Sequence, residues 1–110
     1  MRLPNPKRAV VDIGKLKNYC LNPHHPRGHH KARVFAAALG LTAKDAEFLE
    51  SVLLKAARDS MAIPAEKDEY GQRYILDFQL IGPKGLVVIR SSWIVLSRGK
   101  YARFLSCYVL

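Results

Sequence analysis

Apolar residues recur at helical spacing through the first half of the chain and at alternating positions through the second. Ile13, Leu16 and Cys20 or Leu21 follow the helical period, predicting a short helix over 14–20 that stops at Asn22-Pro23. The stretch NPHHPRGHHKA that follows reads as a loop leading into a helix, with Gly28 permitting a sharp entry. Val34, Phe35, Ala38 and Leu39 then share one helical face over Lys31 to Leu39, and Gly40 is the stop. Thr42 is a good N-cap for the next helix, where Ala46, Leu49, Leu53, Leu54 and Ala57 form a stripe through about residue 60. Pro64 marks the end of the helical half. Upstream, Pro4, Pro6 and the apolar group Ala9, Val10, Val11 suit an extended arm over residues 1–13, expected to pack loosely.

From Tyr70 the period changes from 3.6 to 2, the strand signature. Strands are expected at about 72–81, 86–96 and 101–109, joined by GPKG at 82–85 and by Arg98-Gly99. Two successive hairpins make an antiparallel meander. If Ile81 opposes Leu86, then Tyr74, Leu76, Phe78 and Leu80 share a face with Val87, Ile89, Trp93 and Val95, and that face belongs to the core. The opposite face receives Arg73, Ile75, Asp77 and Gln79 beside Val88, Arg90, Ser92 and Ile94. The simplest second hairpin adds Arg103, Leu105 and Cys107 to it, whereas one bulge in the last strand would place Ser106 and Tyr108 there instead. Helices first and strands afterwards predict a single α+β domain, residues 1–110. Its N-terminal helices (14–62) pack on one face of a C-terminal antiparallel β-meander of three to four strands (63–110).

A chain of 110 residues with 49% hydrophobic side chains supports one core, and its composition argues against wholesale disorder. Charge changes the picture more: 18 Lys and Arg stand against 9 Asp and Glu, a formal +9. Residues 1–42 hold eight basic side chains and one acidic, residues 43–69 four and seven, and residues 70–110 six and one. Such a field attracts polyanions, so nucleic acid or an acidic protein is the expected partner class. Cys20 and Cys107 lack CxxC spacing, so no disulfide framework or zinc ribbon is indicated and buried reduced thiols are expected. No apolar run is long enough for a signal peptide or a bilayer span, which predicts a cytoplasmic location and no membrane partner.

His24, His25, His29 and His30 are natural candidates for proton transfer, because histidine titrates near neutrality. Adjacent pairs on a Pro-Gly loop, with no supporting Cys and no HExxH helix, match no established metal spacing. A metal or other cofactor is therefore not expected. Arg73, Arg90 and Arg103, with Tyr108 in the bulged arrangement, put guanidinium forks on a half-exposed sheet face, where they match phosphate oxygens. Their ordinary alternative is outward charge, with Asp77 pairing Arg90 across the strands.

The series LKNYCLNPHHPRGHHKARVFAAALG, YGQRYILDFQLIGPKG, SSWIVLSRG and RFLSCYVL resembles a small bacterial domain with the pattern N-P-x-H-P-x-G-x-x-K-A. That domain is found alone and as the C-terminal toxic module of polymorphic toxins. Its helix-then-meander order is similar to the superfamily of small ribonuclease toxins that includes barnase, EndoU, colicin nucleases and RelE. The resemblance covers about residues 14–110. It singles out Asn22, Pro23, His25, Pro26, Gly28, Lys31 and Ala32, then Trp93 and Tyr108, and leaves His24, His29 and His30 at variable positions.

The resemblance implies metal-independent RNA cleavage and, for stand-alone members, neutralisation by a small antitoxin, expected on charge grounds to be acidic. The expected chemistry is transesterification, the RNA 2′-hydroxyl attacking its own phosphate. His25 would be base or acid, Lys31 would stabilise the developing charge, and Arg90 with Arg73 or Arg103 would hold the phosphate. Tyr108 would be the second proton-transfer group or a stacking platform. Ser92 and Trp93 complete the expected substrate surface, and no DNA specificity is expected. Two other readings stay open: a noncatalytic module binding RNA or an acidic protein, and an NPHHPRG segment that only sets the angle between helices.

Overall fold

The computed structural model describes residues 1–110. Helices α1 (Ile13–Lys15), α2 (His29–Leu39) and α3 (Ala46–Asp59) precede strands β1 (Ile63–Asp68), β2 (Gly71–Gly82), β3 (Gly85–Leu96) and β4 (Arg103–Val109). The strands form one antiparallel sheet in the order β1-β2-β3-β4, so the α+β meander is the observed architecture.

Local chemistry accounts for the helix limits. The Asp12 side chain accepts the Gly14 N–H at 2.8 Å and starts α1, which runs on as a π-helical turn, Leu16–Cys20. The Leu21 N–H reaches back five residues to the Leu16 carbonyl at 2.9 Å, so the predicted helix exists with a wider winding than expected. Gly40 ends α2 at φ 68, and its N–H caps the Ala36 carbonyl. Asp45 accepts the Thr42 N–H at 2.9 Å, and α3 follows with Leu49 and Leu53 fully buried.

Ile81 stands opposite Leu86, and Gly82 opposite Gly85, leaving Pro83-Lys84 as the two-residue connection. This register turns Leu76, Ile89 and Trp93 into a core shared with Leu16, Phe35, Leu49 and Leu53. Within it the Trp93 indole donates to Ser91 Oγ at 2.9 Å, and that hydroxyl donates to the Leu76 carbonyl at 2.7 Å, so no polar hydrogen of the pair is stranded. Phe104 packs edge-on against the Trp93 ring, with centroids 5.5 Å apart.

In β4 the pairing runs Ser92 to Ser106 and then Trp93 to Phe104, leaving Leu105 as the extra residue of a bulge. Cys107 consequently turns to the core opposite Ser91, while Ser106 and Tyr108 join the open face opposite Ser92 and Arg90. Arg103, opposite Ile94, shares that face. The simplest hairpin is thus corrected at Cys107 and kept at Arg103.

Two segments depart from expectation, the arm and the start of the last strand, and β1 supplies the fourth strand of the expected three to four. The arm is pinned: Leu3 is buried, the Val10 N–H donates to the Ala102 carbonyl at 3.0 Å, and the Phe104 N–H donates to Val10 at 2.9 Å. Val10 thereby forms a parallel bridge with Arg103 at the outer edge of β4. Pro64 lies inside β1, a fourth strand whose six residues are all exposed, at the opposite edge of the sheet. The last strand begins at Arg103, because residues 97–102 are spent on the turn.

Candidate functional site

The histidine loop is built around one ring. His25 Nδ1 accepts the backbone N–H groups of Arg27 and Gly28, both at 3.0 Å, and the ring meets Tyr19 edge-on at 4.7 Å between centroids. Two donors on Nδ1 require its lone pair, so the neutral ring carries its hydrogen on Nε2 and is a donor there. In this state His25 is no free base. Asn22 holds the other side of the turn: its Oδ1 accepts the His24 N–H at 2.9 Å, and its Nδ2 donates to the Asn18 carbonyl at 3.2 Å. A Cβ on Gly28 would lie 2.8 Å from the Tyr19 carbonyl oxygen, so the glycine serves close approach; its own backbone is ordinary helical, not left-handed.

His29 Nδ1 pairs with the His25 carbonyl at 2.9 Å, and the His29 ring lies 4.0 Å from exposed His30. Ala32 is buried. Lys31 is the motif residue whose charge the loop does not use. It stands in the first turn of α2, and its ammonium lies 4.9 Å from the centroid of the Tyr108 ring.

Tyr108 joins the helix to the sheet, since Arg90 is its partner across β3 and β4. Directly behind lie Cys20, from the π-helical turn, and Cys107, both fully buried and unoxidised. A hydrogen bond from the Cys107 thiol brings Cys20 down to about 7, against the effect of burial and with help from the Lys31 charge. Donating that bond, together with burial, pushes Cys107 up and keeps its proton in place.

Asp77 claims Arg90 through two parallel bonds of 2.9 Å, from Nε and Nη2, and this pairing raises the guanidinium further above its ordinary value, with a lesser contribution from the Tyr108 hydroxyl. Arg73 is likewise taken, its Nη1 lying 2.7 Å from Asp68 and holding that carboxyl below its usual range. Aspartate therefore neutralises the charge of both arginines and competes with the phosphate grip expected of them, occupying one edge of Arg90 and one nitrogen of Arg73. Ser92 is half-buried and donates to the Ser106 carbonyl at 3.4 Å. Trp93 is inaccessible, and its expected place on the substrate surface is corrected to the core. No hydrogen bond or ring contact joins His25 to Lys31, Arg90 or Tyr108, so the four expected catalytic residues divide into a turn and a neighbouring Lys31–Tyr108–Arg90 set.

Arg103 belongs elsewhere, its guanidinium 5.7 Å from the Tyr101 ring, with Arg8 at 5.1 Å from the same centroid. Sequence reasoning overlooked Arg8, Arg98, Lys100 and Tyr101, although the run SRGKYAR carried the signal for all but Arg8.

The sequence model of a domain of unknown function, DUF6883, matches residues 2–110. The chain belongs to the DUF6883 family. No curated protein matches this DUF6883 domain. Among solved structures, it is similar to a chain of the contact-dependent growth inhibition toxin–immunity protein complex from Klebsiella pneumoniae 342. The TM-score is 0.67 at 23% identity, over 94% of this chain and 95% of that one. At that identity the likeness establishes a common fold for the DUF6883 domain.

Proposed function

We propose that this domain is the toxic member of a toxin–immunity pair and that it cleaves RNA by 2′-hydroxyl transesterification. The observation that carries the reading is the Lys31 ammonium held 4.9 Å from Tyr108, with Arg90 opposite on the open sheet face. The formal +9 and the fold shared with a chain of a toxin–immunity complex support it.

Tyr108 is the proton-transfer group. The 2′-oxygen loses its proton and attacks phosphorus, the bond from phosphorus to the 5′-oxygen breaks, and the 5′-oxygen takes the Tyr108 proton. The proton released by the 2′-hydroxyl returns to Tyr108 through solvent, so none is consumed. Lys31 offsets the charge gathering on the phosphate oxygens. Arg90, with Nε and one Nη2 hydrogen on Asp77, keeps its Nη1–Nη2 edge for phosphate oxygens, although the Asp77 carboxylate offsets its charge. His25 acts through position: its two amide bonds fix the turn that launches α2, and so place Lys31.

The test is incubation of the purified protein with total RNA in EDTA, followed by end-group analysis. Wild type should leave 2′,3′-cyclic phosphate ends, and Lys31→Ala or Tyr108→Phe should slow their appearance by about 10²-fold or more. Undiminished activity in both variants, or intact RNA from wild type even with ribosomes supplied, would sink the assignment. One observation favours a noncatalytic binding module instead: Asp68 and Asp77 occupy two of the three open-face arginines. That reading predicts retention of RNA without new ends. The immunity partner in either case is an acidic protein, its carboxylates complementing the basic surface.

A further inference from the structure

Two ion pairs account for Arg73 and Arg90, and none involves Arg8, Arg98, Lys100 or Arg103. These four cations, with Leu96, Gly99 and Tyr101, line a cavity of about 430 Å³ that contains no carboxylate. They come from three separate segments: the arm, the β3–β4 turn and the start of β4. The arm is held there at some conformational expense, since Asn5 adopts a left-handed backbone (φ 48) and its side-chain amide donates to the Lys100 carbonyl. Val10 then pairs with Arg103. Arg8 and Arg103 both lie within about 6 Å of the Tyr101 ring, whose π-density lessens their mutual repulsion without neutralising either.

We propose that this pocket binds phosphate groups of a nucleic-acid chain. Guanidinium forks suit phosphate oxygens, and convergent unpaired cations fit closely spaced phosphodiesters. Size favours a nucleotide over a protein surface: seven lining residues around about 430 Å³ match a small-ligand site, whereas a protein interface engages roughly 20–30 residues a side. The proposal rests on the RNA reading above for its biological role only; the pocket anchors the strand away from Lys31 and Tyr108 and supplies a grip with no carboxylate competing for it, unlike the paired Arg73 and Arg90.

The test uses fluorescence anisotropy with labelled oligothymidylate, which has the phosphodiester backbone but no 2′-hydroxyl to cleave. Arg8→Gln with Arg103→Gln should weaken binding about tenfold or more and reduce the salt slope by about 1.4. The control, Arg33→Gln with Lys84→Gln, removes the same charge from two exposed positions outside the pocket and should shift affinity about twofold at most. Arg98→Gln with Lys100→Gln, confined to the exposed turn, serves if circular dichroism shows the first pair unfolded. Equal losses in pocket and control variants, or no loss in either, overturn the proposal. So does pocket-dependent capture of an oligo-glutamate peptide without oligothymidylate binding, which would make the pocket an acidic-protein site. Wild type that grips oligothymidylate through the pocket yet leaves RNA intact rejects the ribonuclease reading alone. Cleavage with binding indifferent to the pocket rejects the pocket alone.

Discussion

Arg27 and Gly28 both direct their backbone N–H groups at His25 Nδ1, so replacing the ring removes the acceptor of both, and the partly buried Gly28 N–H is the one water reaches poorly. His25→Ala should lower unfolding free energy by about 1–3 kcal/mol in a urea titration. Gly28→Ala should have a comparable effect, because its Cβ meets the rigid Tyr19 backbone. A His25→Ala protein that matched wild type in stability would remove the positioning role. Asp68 gives the acid limb its sign: its pairing with Arg73 depresses the folded carboxyl, so the stabilisation is present above the unfolded value near 3.9 and disappears as pH falls through the lower folded one. Asp68→Asn should flatten stability against pH in that acid window, with a small loss at neutral pH where the pairing is otherwise present and none below the window. The motif at 22–32 was legible as a turn with a special histidine, but its division of labour was not. Hydrogen-bond direction at Nδ1 and the closeness of Tyr19 are properties of folded geometry that spacing does not encode.

At the scale of elements, the two-residue connection at Pro83-Lys84 locked β2 to β3, and alternation then fixed which residues faced the helices. That much was readable because both strands carry a clear apolar face. β4 was not, since Leu105 fits either side and only the bulge decides whether Cys107 or Tyr108 reaches the open face. β1 fell within the expected sheet of three to four strands but was not placed individually, because Pro64 and three charged residues imitate a loop and its exposure removes any apolar period. Trp93, with Ser91 and Phe104, ties β3 to β4 across this bulge. Trp93→Ala should cost about 3–5 kcal/mol, measured by chemical denaturation. A loss below about 1 kcal/mol would mean that the surroundings collapse into the space.

Across the whole molecule, basic charge is divided into a neutralised part and a free part. Asp68 and Asp77 quench the middle of the open face, leaving unpaired cations around Tyr101 and an isolated lysine at Tyr108. Net charge alone pointed to a polyanion as partner class. It could not locate the carboxylate-free cluster of cations, because that cluster joins an arm read as loose to a turn about ninety residues later in the chain. Association with an acidic immunity protein should weaken as salt rises, measured by calorimetry at several ionic strengths; an affinity indifferent to salt would argue against charge pairing at that interface.

The Val10 bridge also governs how the sheet meets other copies of itself. At the far edge, Pro64 lacks an N–H and Glu66, Lys67 and Asp68 carry charge, which discourages further strand pairing. At β4 the protection is the arm, through its two backbone bonds to Ala102 and Phe104. A chain cut after Val10 would bare those groups and favour edge-to-edge self-association, visible in light scattering, as it lost Arg8 from the pocket. Solubility and anion binding are in this way joined through one short segment.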